Sequence, residues 1–166
     1  MTADFNVDLA YSLESGESDI FDKFYFRIFP HLERIENVSD LALQKQGVDK
    51  KLILTCGKVI LIDEKKRRKD YGDILLEEYS NRDQKVQGWL NRNKITDYIV
   101  YACMDTKRIY LLPFLILQRV WITEHENFIT KYGRKEAHNP NYVTTFVAVP
   151  VKDLFELIRR EMEGCL

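Results

Sequence analysis

Apolar residues change their spacing along this chain, and the changes mark out its elements. Ile20, Phe21, Phe24, Tyr25, Ile28 and Phe29 recur at helical intervals, the pattern of one buried helix face. Ser15 or Ser18 stands where an N-cap belongs, and Pro30 ends the helix. The polar stretch 31–40 reads as a loop or a turn of helix, and 41–47 is ambiguous. Residues 51–55 and 59–65 read as two strands of a hairpin. Cys56-Gly57 is its turn, with Gly57 free to take positive φ. Residues 74–79 form a third strand, and 81–94 is polar around Gly88-Trp89. Strands at 98–104 and 108–112 are joined by Asp105-Thr106-Lys107. A long helix over 114–131 stops at Gly133. His138-Asn139-Pro140-Asn141 is a loop, and 142–149 is a strand closed by Pro150. Residues 153–162 form an amphipathic helix with Leu154, Leu157 and Ile158 inward. The order predicts an α/β fold.

Length and composition narrow the class. The 166 residues suit one domain spanning 1–166, with the acidic stretch 1–16 as a loose lead-in. Apolar residues at 45 % exclude global disorder. The three cysteines, Cys56, Cys103 and Cys165, are odd in number and lack a CxxC pair. That argues against a disulfide scaffold or a zinc knuckle and for a reducing, cytoplasmic setting. The longest apolar run, 109–117, contains Pro113 and falls short of the ~20 residues a bilayer needs. The start MTADFNVDL has no basic n-region, so neither a signal peptide nor a membrane span is expected.

Net charge is -1, which excludes a uniformly basic nucleic-acid binder, yet nine Lys or Arg face three Asp or Glu between Lys45 and Lys69. Within that segment Asp49 sits just before a strand, and Asp63 and Lys65 lie two apart near the end of the next. A period of two puts Asp63 and Lys65 on one face with Val59 and Leu61, and Ile60, Ile62 and Glu64 on the other. Both faces are apolar up to Asp63, so the strand is central and its polar end emerges at the rim of a core. Two carboxylates and a lysine suit a metal-dependent phosphodiesterase. The acids hold a hard divalent ion, with the carbonyl of residue 64 as a third ligand, and the lysine orients water and offsets transition-state charge. Other chemistries lack support. His31, His125 and His138 are scattered, no phosphate-cradling glycine loop is present, and Cys56 has no histidine nearby in sequence.

The run Gly47-Val48-Asp49 … Ile62-Asp63-Glu64-Lys65 resembles the PD-(D/E)xK nuclease superfamily, in particular small phage or mobile-element members. The resemblance covers roughly residues 17 to 120. It implies a restriction-endonuclease-like mixed β-sheet flanked by helices, an αβββ-type core with further strands and C-terminal helices. It implies a metal-dependent endonuclease that hydrolyses DNA phosphodiester bonds. Magnesium would be the ion, with manganese as a substitute, held by Asp49 and Asp63 and assisted by Lys65. Many members aim a further Glu from the first helix at the metal. Glu17 fits that place, on the face of Phe21, Phe24 and Ile28, and Asp22 fits it less well. Val48 stands where the nominal motif has proline. Glu64-x-Lys66 matches the motif equally literally and points to the other face. Asp63 and Lys65 are preferred because Lys66 opens a basic run that reads as a turn.

The basic run Lys66, Arg67, Arg68 and Lys69, with Lys85, Arg92 and Lys94, forms a phosphate track in this reading. Ser80 and Gln84 touch substrate, by analogy with polar residues that follow this strand in relatives. One of Glu77 and Glu78 pairs with a basic residue of 65–69. Trp89 is a packing anchor rather than a base wedge. Gln118, Arg119 and Trp121 on the long helix offer a homodimer face, since many members cut as dimers. The competing expectation is a non-catalytic relative of the same fold that binds nucleic acid or protein.

Overall fold

A computed structural model describes residues 18–163, with side chains from residue 20 onward. Its elements in chain order are α1 (Ser18–Ile28), β1 (Leu32–Asn37), α2 (Leu41–Lys45), β2 (Lys50–Leu54), β3 (Val59–Arg67), β4 (Asp73–Asn81), β5 (Val86–Gln87), β6 (Tyr98–Cys103), β7 (Arg108–Pro113), α3 (Phe114–Tyr132), β8 (Lys135–Asn139), β9 (Tyr142–Pro150) and α4 (Val151–Glu163). The fold is mixed α/β, with helices flanking strands. Backbone contacts divide the chain into two compact units.

The first unit holds residues 18–70 and Asn93–Phe114. Its five-stranded sheet has the order β1-β2-β3-β6-β7. Neighbours are antiparallel except β3 and β6, which run parallel with Asp63 opposite Ile99. One face of this sheet packs against α1. Phe21, Phe24 and Tyr25 are buried in one cluster with Leu52, Ile60, Ile62, Val100 and Ala102. Three aromatic side chains on successive turns supply most of the driving force for seating α1.

The stretch expected to be a loop at 31–40 instead supplies the edge strand β1. Leu32 and Ile35 are three apart, which reads as helix, yet both are half-buried. A bulge between Leu32 and Arg34 shifts the register by one and returns Ile35 to the inner face. The short helix α2 follows, capped by Asp40, whose carboxylate accepts from Ala42 N–H at 2.7 Å.

The second unit contains Tyr71–Arg92 and the chain from Leu115 onward. Its sheet has the order β5-β4-β9-β8 and is antiparallel throughout. The strand expected at 74–79 therefore forms but does not lie beside β3, whose partner is β6. Gly72, just before β4, takes φ 71, and its carbonyl accepts from the N–H of Val151, just after β9. His138 and Asn139, expected in a loop, lie in β8, and only Pro140-Asn141 turns. The long helix α3 turns Trp121 inward at 1 % exposure, where its Nε1–H donates to Asn91 Oδ1 at 2.9 Å. Gln118 donates to the carbonyls of Leu90 and Arg92. Trp121 thus belongs to the core, Gln118 is half-buried, and the exposed Arg119 pairs with Glu161 at 3.6 Å.

Trp89 is buried, as its role of packing anchor requires, and Gly88 before it explains how. Gly88 N–H donates to Glu78 O at 2.7 Å, and a Cβ at this position would land on the Glu77 carbonyl. Gly88→Ala must push backbone against backbone, an overlap expected to cost about 1–3 kcal/mol or more. The check is urea unfolding, with a lower midpoint and an unchanged slope. A variant as stable as wild type would show that the close approach is dispensable.

Candidate functional site

Asp49 lies just outside β2, and its backbone is tied on both sides. Its N–H donates to Ile62 O at 2.8 Å, and its carbonyl accepts from Val38 N–H at 3.0 Å. The last β2–β3 pair is Lys50 with Ile62, so the N–H of Glu64 has no β2 carbonyl to meet. The Asp49 side chain takes it instead, Oδ2 accepting at 2.8 Å. Its position thus follows from finishing a ladder that β2 leaves short.

Asp63 lies on the sheet face opposite α1, and its side chain is 2 % exposed. Lys65 donates to Asp63 Oδ1, and Lys94 donates to Asp63 Oδ2. Asp49 interacts with Asp63 side chain to side chain and feels the charge of Lys65. The structure thus brings Asp49, Asp63 and Lys65 together, with Lys94 added. Two carboxylates face two ammonium groups, a balanced set that a nearly buried Asp63 requires.

Strand alternation sends Glu64 the other way. Its Oε1 accepts from the Tyr25 hydroxyl of α1 at 2.7 Å, and Lys50 lies close enough to act on its charge. Burial pushes the Glu64 carboxyl above its ordinary value, against the pull of Tyr25 and Lys50. Burial, with Glu64 beside it, pushes the Tyr25 phenol far above its own. Lys66 shares that face, its ammonium 5.5 Å from the centre of the Phe21 ring. The alternative register, Glu64 with Lys66, therefore belongs to the α1 face. Glu17 lies outside the described residues. Asp22 on α1 is 3.8 Å from the Lys50 ammonium, with Oδ1 buried and without a hydrogen-bond partner.

The remaining expected residues divide. Arg67 continues the Asp63–Lys65 face of β3 by alternation, and the carbonyls of Arg67 and Arg68 accept from Met104 and Asp105 N–H. Lys69 follows outside the strand. Ser80, Gln84 and Lys85 sit on the β4–β5 hairpin of the second unit. Ser80 Oγ accepts from Arg92 at 2.7 Å and lies 3.3–3.4 Å from the Val86 and Gln87 carbonyls, so its polar capacity closes that hairpin. Gln84 N–H is taken by Asn81 Oδ1, and Lys85 holds a turn conformation at φ 54. Arg92 is likewise committed, to Ser80 and the Gln87 carbonyl.

Glu78 does not pair with a basic residue of 65–69. It sits at a bulge in β4, buried, where both carboxylate oxygens accept from Arg134 at 2.6 and 2.8 Å. Thr145 donates to it at 3.2 Å, and His125 Nε2 lies 3.2 Å away. Alternation with the buried Ile74 and Leu76 points this acid inward, and a bidentate arginine satisfies it.

Lys94 is the residue that sequence reasoning misplaced. It had been assigned to an exposed phosphate track, but its side chain is 7 % exposed and sits on Asp63. Its neighbours fix it: Ile95 N–H donates to Gln46 O at 3.2 Å, and the Asp97 carboxylate accepts from Leu61 N–H at 2.8 Å. Nothing in the spacing of 91–97 marks it; its setting depends on a docking of chain segments far apart in sequence. Burial and the neighbouring Lys65 lower the Lys94 ammonium from its ordinary value, while Asp63 opposes them.

Among the described residues, no group of three or more His, Cys, Asp or Glu side chains is placed to hold a metal ion. The carboxylates at the site number two. Also among the described residues, no helix is long and apolar enough to cross a membrane.

Burial and, secondarily, Asp63 push the Asp49 carboxyl above its ordinary value, against the Glu64 N–H and Lys65. A folded pKa above the unfolded one means the fold favours the protonated acid. That contribution is full below the unfolded value, about pH 4, and is lost as pH rises through the raised folded value. Asn keeps an acceptor for the Glu64 N–H and carries no charge. Asp49→Asn should therefore match or exceed the wild-type Tm at neutral pH, with the gap closing below about pH 4. A clear loss at neutral pH would mean that the charge itself holds the site. Compared with known proteins, the chain matches no family model, no curated protein and no solved structure, so its function has to be argued from these side chains.

Proposed function

We propose that the chain is a metal-dependent nuclease of the PD-(D/E)xK kind, cutting DNA phosphodiester bonds. One observation carries the reading: Asp49, Asp63 and Lys65 meet on a single face at the end of a central strand. Support comes also from the order α1-β1-β2-β3, an αβββ run in which the β2–β3 hairpin carries the motif. The donor set suits a hard ion, since both acids offer only oxygen. Asp49 and Asp63 would hold magnesium, or manganese in its place. Glu17 is the remaining carboxylate that the resemblance implies.

When bound, the ion polarises the phosphate and lowers the pKa of attacking water. The chain's own groups do the rest. Lys65, 30 % exposed, orients the water and faces the charge that grows on the phosphate oxygens as the bond to the leaving oxygen breaks. Arg67, further along the same face, adds positive charge toward the backbone of the substrate.

A second reading has its own observation. Both Asp63 oxygens are already engaged by Lys65 and Lys94, so the cluster is satisfied as a structural ion-pair set. A non-catalytic relative that binds nucleic acid or protein would need no more.

Labelled linear and branched DNA incubated with magnesium or manganese separates the two. The nuclease reading predicts metal-dependent cutting that falls at least about a hundredfold in Asp63→Asn and in Lys65→Met. Glu64→Gln and Lys66→Met, on the α1 face, should retain cutting within about tenfold of wild type. No cutting by folded wild-type protein on either substrate favours the binding reading. Cutting that survives Asp63→Asn rejects this site.

A further inference from the structure

We propose that the hollow between α1 and the β6–β7 hairpin is an anion site that takes a phosphomonoester, with the phosphate on its cations and the attached organic group against its apolar lining. It lies on the α1 side of the sheet, the side opposite Asp63 and Lys65, and stands apart from the metal reading.

The hollow measures about 220 Å³ and is lined by Ile20, Lys23, Phe24, Arg27, Lys107 and Ile109. Lys23 and Arg27 are four apart on α1, so they share one helix face. Lys107 comes from the turn between β6 and β7. All three cations are exposed. Three positive groups thus line one small space, and among the described residues no Asp or Glu lines it with them. Like charges four apart on a helix repel, and a third adds to the repulsion. A bound anion turns that repulsion into attraction. The larger hollow between α3 and α4 is the contrast. It is lined by acids as well as bases, and Lys131 lies 3.0 Å from Asp153 and Arg160 3.0 Å from Glu156. Its charges are answered from within.

Charge and shape select the anion. A carboxylate or a phosphodiester brings one negative charge. A phosphomonoester brings about −1.5 to −2 at pH 7, with three acceptor oxygens. That suits one guanidinium fork and two ammonium groups. The rest of the lining is apolar. Ile20 and Ile109 are half-buried on the core cluster, and Phe24 is buried, with the Arg27 guanidinium 5.6 Å from its ring centre. The space is too small to enclose a large ligand, so it holds the phosphate and the first part of its ester. A free nucleotide and the 5′ end of a nucleic-acid strand both present that chemistry.

Lys107 supplies a variant that separates binding from folding. Its φ of 56 is left-handed, a conformation that glycine adopts at least cost. Lys107→Gly therefore removes the cation while easing the turn, and its Tm should equal or exceed that of wild type.

Titrations of the full chain in EDTA compare adenosine 5′-monophosphate with adenosine, and a 5′-phosphorylated DNA oligonucleotide with its 5′-hydroxyl counterpart. In wild type, at least one phosphorylated probe should bind at least about tenfold more tightly than its counterpart. Arg27→Gln and Lys107→Gly should each cut that advantage at least about fivefold. Lys58→Gln, at an exposed turn position of the same unit, should leave it within about twofold. An advantage for the mononucleotide supports the site with a free nucleotide as its source. An advantage confined to the oligonucleotide supports it with a strand end as its source. No advantage for either phosphate overturns the site. An advantage that Arg27→Gln and Lys107→Gly leave intact, or that Lys58→Gln lowers as much, also overturns it, because general charge attraction then accounts for the binding.

Discussion

Asp63 can be buried as a carboxylate only if positive charge is brought to it, and the surroundings of β3 are arranged around that need. An unpaired carboxylate in such a place is disfavoured by several kcal/mol. Lys65 answers from the same strand face, and Lys94 from the segment that leads into β6. The absence of a side chain at Gly47 leaves the corridor for Lys94. Asp97, through Leu61 N–H, holds the start of that segment against β3. The same strand could have continued as Val-Ile-Leu-Ile into a plain apolar core. Instead, one inward position is given to a group that stabilises nothing by burial alone and is held by its two ammonium partners.

The two faces of β3 divide the labour. On the α1 side, Ile60 and Ile62 join Phe21, Phe24 and Tyr25, and the polar end of that face is closed by the Tyr25–Glu64 hydrogen bond. On the other side, the strand ends in the acid–lysine set. One residue of slippage in the β2–β3 register would exchange the two and put Glu64 where Asp63 is. Asp49 guards against that slip twice, through its backbone on Ile62 and its side chain on Glu64 N–H. A candidate ligand thus doubles as a register lock.

Much of this was legible from residue order. Periods of two and of three to four located α1, the β2–β3 hairpin, β6, β7, α3, β9 and α4, because each buries a continuous apolar stripe. Alternation also placed Asp63 with Lys65 and apart from Glu64. What escaped depends on relations that spacing does not encode. In β1, a bulge converted a strand into a three-residue apolar interval. In β4, apolar alternation said strand but not which sheet, since β4 and β6 are equally apolar neighbours of β3 in composition. Spacing offered Glu77 or Glu78 a partner in 65–69 and put Lys94 in a phosphate track, yet Glu78 and Lys94 are each buried against a partner distant in sequence, Arg134 or Asp63.

The parallel pairing of β3 with β6 has a consequence for how the chain comes to be folded. The chain between the two strands includes Tyr71–Arg92, which belong to a different unit. During synthesis α1, β1, β2 and β3 emerge first, and β3 then waits with one flank of N–H and C=O groups unpaired while residues 71–92 pass. Non-local closure of this sort is slow, and an open apolar strand is an invitation to stick to another chain. The run Lys65-Lys66-Arg67-Arg68-Lys69 sits at the waiting end of that strand. Five like charges there repel a second such strand, so the open flank is least able to pair with another copy at that end.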